Sequence, residues 1–216
     1  MNTLLPTTKH RRGRRTARQE RALAHPGTAL VDVDALARDA LTRGTDPIVL
    51  DIGFGSGEAV VALAEADPHT TIIAVDMHTP GIGDLLASIS ERGLVNIRVV
   101  EADVRLALEA IPEARLRGVR TFFPDPWPKK RHHRRRLITA PFAEAVSTRV
   151  AVGGFWHIAT DWPDYALGIE ETVAASTLWR GGVIPRPESR PMTRYERRGL
   201  AAGREPIDLW FERVAT

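Results

Sequence analysis

One carboxylate in this chain sits in unusual company. Asp125 lies between Pro124 and Pro126, followed by Trp127, Pro128 and the run Lys129, Lys130, Arg131, His132, His133, Arg134, Arg135, Arg136. Proline fixes its own φ and pushes the residue before it out of the helical region, so residues 124–128 form a stiff loop with few accessible shapes. An acid, an aromatic ring and six Lys or Arg side chains on such a loop suit a flat base at the end of a phosphate-rich strand. The ring offers a stacking face, the cations meet phosphates, and the acid stabilises positive charge where a reaction creates it. The plain alternative is a solvated basic turn.

A second constellation is Asp51-Ile-Gly53-Phe-Gly55-Ser-Gly57, which follows the apolar run Ile48-Val49-Leu50. Glycines between a strand and a helix let the backbone approach a ligand closely. A dinucleotide fingerprint needs a small residue three places after its second glycine, where this chain has Glu58. No Gly-Lys-Ser/Thr follows, which excludes a triphosphate-binding P-loop. Glycines at 53, 55 and 57 behind an acid resemble instead the S-adenosylmethionine loop of class I methyltransferases. Asp76 closes the next apolar run, Thr71–Val75, where a carboxylate can accept from two ribose hydroxyls. Asp103 follows Ile97–Val100, placed to accept from an adenine amino group. Each acid alone is an ordinary strand-end residue. Three acids after three successive strands reinforce one another, because a doubly wound sheet brings those ends side by side.

The elements that must position these residues alternate. Strands are expected at 48–50, 71–75, 97–100, 119–123, 155–159 and 208–214. Helices are expected at 31–43, 58–66, 81–92, 104–110, 137–149 and 163–176, on apolar periodicity and on glycine and proline punctuation. This is an α/β chain with a doubly wound sheet and ligands at the carboxyl ends of its strands. Residues 1–26 are polar and basic and are closed by Pro26, so they are read as a mobile arm, with 27–216 as a single domain. The tail, with Pro185, Pro187 and Pro191, is read as a loop before the last strand, and Thr193-x-x-Glu196, which follows the three prolines, has the form of a capping box.

The 216 residues suffice for one such domain with a real core. The net charge of +3 hides an asymmetry: residues 9–21 and 129–136 hold thirteen of the 30 basic residues but one of the 27 acids, Glu20. The remainder carries 17 basic against 26 acidic residues, a net of −9. An acidic body with two basic segments implies focused contact with a polyanion. Absence of cysteine excludes disulfides, thiolate zinc and a cysteine nucleophile, and suits a reducing cytosol. No apolar run approaches transmembrane length and no signal core opens the chain, so a cytoplasmic protein without membrane contact is expected.

The run 122–136, the loop at 51–57, Thr160-Asp161-Trp162, and Thr193-Arg194-Tyr195-Glu196 with Arg198-Gly199 together resemble the tRNA (guanine-N7)-methyltransferase family. The similarity extends from about residue 47 to the C-terminus, more loosely to the basic arm at 11–19. The proline-rich loop is its most specific motif; adenine amino-methyltransferases carry a shorter Asp/Asn-Pro-Pro-aromatic loop there. The resemblance implies a mostly parallel seven-stranded sheet of the Rossmann-like methyltransferase type. It implies S-adenosylmethionine as cofactor, S-adenosylhomocysteine as product, no metal, and tRNA as partner, methylated at N7 of the guanine at position 46 of the variable loop. No obligatory protein partner is expected; the chain acts as a monomer or homodimer. Cofactor contacts are implied at Asp51, Gly53, Gly55, Gly57, Asp76, Asp103 and Asp125. Contacts to tRNA or guanine are implied at Lys129, Asp161, Thr193, Arg194, Tyr195 and Glu196, with Lys130, Arg131, Arg134, Arg12 and Arg14 as further basic contacts. Asp51 and Asp76 stand where the family often has Glu, and Arg194 and Tyr195 where Lys and Phe are usual.

Guanine N7 carries a lone pair and no proton, so it can attack a sulfonium methyl without a general base. The site must supply in-line position and charge stabilisation. Asp125 is the candidate for the charge; Asp161 is placed to accept from guanine N1–H and N2–H₂. Trp127 either stacks on a base or braces its loop. His157 is read as a satisfied core histidine, and His132 and His133 as solvated or phosphate-facing. A methyltransferase for a small acidic metabolite would not need the clustered cations, and a non-catalytic RNA-binding relic would not need both the glycine loop and Asp125.

Overall fold

The computed structural model describes residues 15–38 and 45–215. Seven strands form one sheet in the order β3-β2-β1-β4-β5-β7-β6. They are β1 (Ile48–Ile52), β2 (Thr71–Asp76), β3 (Ile97–Glu101), β4 (Leu116–Phe122), β5 (Val150–Thr160), β6 (Trp179–Ile184) and β7 (Ile207–Arg213). β1 to β5 pair in parallel, while β7 runs antiparallel between β5 and β6. The helices are α1 (Ala17–Ala24), α2 (Val33–Arg38), α3 (Glu58–Ala66), α4 (Thr79–Arg92), α5 (Val104–Ala110), α6 (Ala140–Arg149), α7 (Pro163–Ala174) and α8 (Arg194–Ala201). Parallel strands need long crossovers, and helices supply them, so both faces are covered and β1 is buried throughout.

Two apolar clusters result. One, under α5, α6 and α7, holds Ile48, Leu50, Trp156, Tyr165, Phe211 and Trp179. The other, under α3 and α4, holds Val60, Ile72, Ile82, Leu85 and Val99. At the β3 edge the strand-like segment 29–31 extends the sheet, Val31 N–H donating to Val99 O at 2.9 Å and Val99 N–H to Ala29 O at 2.7 Å.

Four features depart from the sequence reading, the first being α8 (Arg194–Ala201), which forms within the tail expected as loop. Residues 17–24 of the expected mobile arm form α1, with a complete capping box between Thr16 and Gln19. Arg18 ties α1 to α4 through Glu91 (2.7 and 2.8 Å), Ser88 (3.2 Å) and Asp84 (3.4 Å). Residues 1–14, with Arg12 and Arg14, and residues 39–44 of the expected first helix lie outside the described residues. β6, which holds Gly181-Gly182, was not among the expected strands. A Cβ on Gly181 would stand 1.9 Å from Trp210 O, so this strand can lie against β7 only with glycine there. β5 begins at Val150 and carries Gly153-Gly154 within it, opposite a register shift between Leu116 and Gly118.

The antiparallel end of the sheet carries a buried charged network. Arg190 is 2% exposed and Glu196 1% exposed. Arg190 donates to both Glu196 oxygens (2.7 and 2.8 Å) and to Asp208 Oδ2 (3.1 Å). Its Nε lies 2.7 Å from Asp208 Oδ1, close enough for an ion pair but not aligned as a hydrogen bond. Arg186 adds a bond to Glu196 Oε1 at 2.7 Å, and His157 Nε2 meets Asp208 Oδ1 at 2.7 Å. Burial pushes the Glu196 carboxyl up, but the bonds from Arg190 and Arg186 outweigh it and hold the group below its ordinary value. α8 is thereby fixed to β7 and β5. Arg190→Met strips both carboxylates of their partner and is expected to lower stability by about 3–5 kcal/mol. Urea denaturation followed by circular dichroism measures the loss; an unchanged midpoint would show that the network holds nothing.

Candidate functional site

The glycine loop opens at the carboxyl end of β1. Gly53, Gly55 and Gly57 all have positive φ (71°, 63° and 79°), a region that side chains rarely adopt. A Cβ on Gly57 would stand 2.8 Å from Leu85 of α4, and one on Gly81, in the first turn of α4, 1.9 Å from Gly55 O. The loop therefore folds tightly onto α4, which the sequence reading did not anticipate. Asp76 organises this bend. Its Oδ2 accepts from Gly55 N–H at 2.9 Å, and its Oδ1 from Met77 and His78 N–H at 2.7 and 2.9 Å. Burial raises its carboxyl above the ordinary value, and these backbone bonds pull against that.

Asp51 is 3% exposed, and its Oδ2 is buried without a hydrogen-bond partner among the described residues. Burial pushes its pKa from 3.8 up to about 7; Arg120, beside it on β4, opposes the rise and Asp76 adds to it. Asp51, Gly53, Phe54 and Ser56 line a cleft whose opposite wall is Phe122, Thr193, Arg194 and Tyr195. The Tyr195 ring reaches Gly55: a Cβ there would stand 2.9 Å from it. Arg197 pairs with Glu58 at 2.8 Å across the same junction. The segment 193–196, implied as a tRNA contact, thus stands over the glycine loop. Within it Thr193 caps α8, accepting from Glu196 N–H at 3.1 Å. The Glu196 side chain does not complete the box; it is consumed by Arg186 and Arg190 and is closed to a substrate.

Asp103, expected to receive an adenine amino group, caps α5. It accepts from Arg105 N–H at 3.0 Å and pairs with the Arg105 guanidinium at 3.0 Å. Asp161, the expected guanine acceptor, pairs with Arg204 at 2.7 Å and packs on Gly199, where a Cβ would stand 2.6 Å from its Oδ2. Neither Arg105 nor Arg204 was singled out in the sequence, since nothing in their spacing marks them.

The proline loop leaves β4 next to β1, and Phe122 of β4 lines the cleft. Phe123 and Trp127 bracket Pro124-Asp125-Pro126 with φ of 55° and 44°, a conformation that costs bulky side chains on the order of 1–3 kcal/mol each. Asp125 is exposed and accepts no hydrogen bond among the described residues. Trp127 carries the Arg135 guanidinium at 4.9 Å from its ring centre and His132 edge-on at 5.9 Å. Its ring is engaged within its own segment. Lys129 precedes a 3₁₀ helix, Lys130–Arg135, on which Lys130, Arg131, Arg134 and Arg135 are exposed, as is Lys129. Arg136 turns inward: it donates to Pro126 O at 2.9 Å and to both oxygens of Asp164 at 2.9 and 3.1 Å, and lies over the Tyr165 ring at 4.6 Å. It clamps the loop to α7.

Known proteins show likeness to this chain in sequence and in fold. A family model described as "Putative methyltransferase" matches residues 45–209. A Streptomyces avermitilis protein named tRNA (guanine-N(7)-)-methyltransferase is 46% identical over 213 residues, covering 94% of this chain and 73% of that protein. A Thiobacillus denitrificans protein of the same name is 43% identical over 210 residues, covering 94% and 92%. Among solved structures, an antibiotic-related methyltransferase superposes with a TM-score of 0.59 at 20% identity, covering 88% of this chain and 98% of that one. An rRNA methylase from Streptococcus thermophilus gives 0.55 at 15% identity, covering 85% and 94%. These two likenesses establish the fold.

The raised pKa of Asp51 has a direct consequence. A carboxyl whose folded value lies above its ordinary 3.8 favours its protonated form in the fold. It contributes most to stability at low pH and loses that contribution as pH rises from about 4 through about 7. A ligand cation beside it requires the ionised form. Affinity for S-adenosylhomocysteine is therefore expected to fall about tenfold from about pH 8 to about pH 6, following the ionised fraction of a group with pKa near 7. Calorimetry checks this, and Asp51→Asn should flatten the dependence while raising the melting temperature of the free protein at the alkaline end.

Proposed function

This chain belongs to the tRNA (guanine-N7)-methyltransferase family, and from that premise we propose that it methylates N7 of a tRNA guanine, the one at position 46 of the variable loop, by in-line attack on the methyl of S-adenosylmethionine. The observation that carries the reading is the placement of Asp125: an exposed carboxylate free of protein partners, on a strained loop, at the end of the strand that also walls the glycine-loop cleft.

The chain's residues fit the cofactor. Three positive-φ glycines allow close backbone approach, and Asp51 offers a buried unpaired oxygen to a cation. Asp76 is partly occupied by backbone donors, yet a carboxylate has about four lone-pair sites and retains capacity for a ribose hydroxyl. When bound, S-adenosylmethionine supplies a methyl group activated by a sulfonium. Guanine N7 has no proton to lose, so no side chain is required as a base. Asp125 stands against the positive charge that the purine acquires; an ion of opposite sign fixed in place lowers the energy of that charge. The two prolines and the Arg136 clamp hold it in place before the base arrives. The exposed cations at 129–135 meet the phosphates on either side of the target. A cytoplasmic monomer or homodimer is sufficient for this chemistry.

Incubation with radiolabelled S-adenosylmethionine and unmodified tRNA, followed by mapping of the labelled base, tests the activity; label at any base other than guanine, or none, overturns it. Asp125→Ala is expected to lower single-turnover methylation by about 10²–10³-fold, the usual loss when one charge-stabilising group is removed, with tRNA affinity changed little. Asp125→Asn keeps the shape and is expected to lose most of the same activity; near-normal turnover in either variant removes Asp125 from catalysis.

A further inference from the structure

Two residues of opposite charge that line the same cleft each carry a buried polar atom without a hydrogen-bond partner among the described residues. Asp51 Oδ2 is one and Arg194 Nε is the other, and both residues line the cleft with Gly53 and Phe54. A buried donor or acceptor left unpaired costs free energy, so such atoms in a native fold mark where a ligand completes the set. Arg120, the other cation near Asp51, lines the neighbouring cavity and not this cleft. Arg194 is therefore the cation that faces the cleft with Asp51.

We propose that Arg194 and Asp51 together recognise an α-amino-acid zwitterion, Arg194 taking the carboxylate and Asp51 the ammonium of the cofactor's methionine end. This rests on the cofactor reading above and moves Arg194 from the tRNA contacts implied by family resemblance to the cofactor. Three features of the structure support the assignment. The Arg194 guanidinium is held by its own Nη2 bond to Tyr195 Oη at 3.2 Å and lies over that ring at 5.1 Å, so it is aimed before a ligand arrives. The Tyr195 ring in turn rests on Gly55 of the glycine loop, which ties Arg194 to the loop that carries the ligand. No carboxylate among the described residues forms an ion pair with Arg194: Glu196 is taken up by Arg186 and Arg190, and Glu58 and Asp84, which act on it from further off, pair with Arg197 and Arg18. A carboxylate on a guanidinium forms short charge-assisted hydrogen bonds, the geometry that distinguishes arginine from a point charge.

Calorimetry with two ligands tests it: S-adenosylhomocysteine and its analogue lacking only the amino-acid carboxylate. The native protein is expected to bind the decarboxylated analogue about 10- to 100-fold more weakly. Arg194→Gln should bind S-adenosylhomocysteine weaker by a similar factor and distinguish the two ligands by less than about threefold, while Arg194→Lys recovers part of the preference. Affinity of Arg194→Gln for tRNA without cofactor should be unchanged. Equal binding of the two ligands by the native protein, or full discrimination by Arg194→Gln, overturns the assignment and leaves the cofactor reading standing. So does a variant that loses tRNA affinity alone. Failure of the native protein to bind S-adenosylhomocysteine at all overturns the cofactor reading, and this assignment with it.

Discussion

The interaction on which the rest depends is the burial of Arg190 against Glu196 and Asp208. A buried ion pair is weak evidence for stability, because dehydrating three charges costs about as much as their attraction returns. What it fixes is geometry. Glu196 belongs to α8 and Asp208 to β7, and the Arg190 guanidinium also lies 5.8 and 5.5 Å from the rings of Phe122 and Phe123 at the end of β4. One side chain thus sets the positions of the helix over the glycine loop, of the antiparallel strand, and of the first residues of the Asp125 loop. The proline-rich stretch 185–191 that delivers it is a connection of limited flexibility with a buried charge at its end.

Around that anchor the two halves of the site are held by different means. The glycine loop is shaped by backbone: three positive-φ glycines, a carboxylate that accepts three backbone N–H groups, and a helix whose own glycine lets the loop touch it. The Asp125 loop is shaped by side chains. Prolines limit its shapes, but two bulky residues with positive φ would relax if nothing opposed them. Arg136 opposes them, bonding the loop carbonyl of Pro126 and the carboxylate of Asp164 at once. A residue that reads as one more phosphate-binding cation is the fastener of the loop.

The distribution of charge follows the same division. Of the basic run after Trp127, the side chains of Lys129, Lys130, Arg131, Arg134 and Arg135 face solvent. In contrast Arg18, Arg105, Arg186, Arg190 and Arg204 each meet a carboxylate within the fold. Five exposed cations grouped on one segment beside the proposed target site favour directed approach of a polyanion over general adhesion.

The sequence by itself determined the alternation of strands and helices, the glycine loop, and the charged proline loop around Asp125. Each of these depends on local physics: apolar periodicity, the conformational freedom of glycine, the fixed φ of proline. It also determined that Asp51, Asp76 and Asp103 stand at the ends of adjacent strands, because a doubly wound order follows from the alternation. Tertiary structure alone decided what each acid does. Asp103 and Asp161 acquired arginine partners, Glu196 was buried, and Asp51 was left with an unpaired oxygen, because a carboxylate's state depends on which charges the fold brings within a few ångströms of it. Residues 17–24 became a docked helix because α4 presents Asp84, Ser88 and Glu91 on the face that meets Arg18. β6 became a strand because β7, whose paired residues lie from 24 (Ile184 to Asp208) to 34 (Trp179 to Arg213) positions further along the chain, offered it an edge that only glycine could approach. Pairings of that kind join residues far apart in sequence, and no local pattern encodes them.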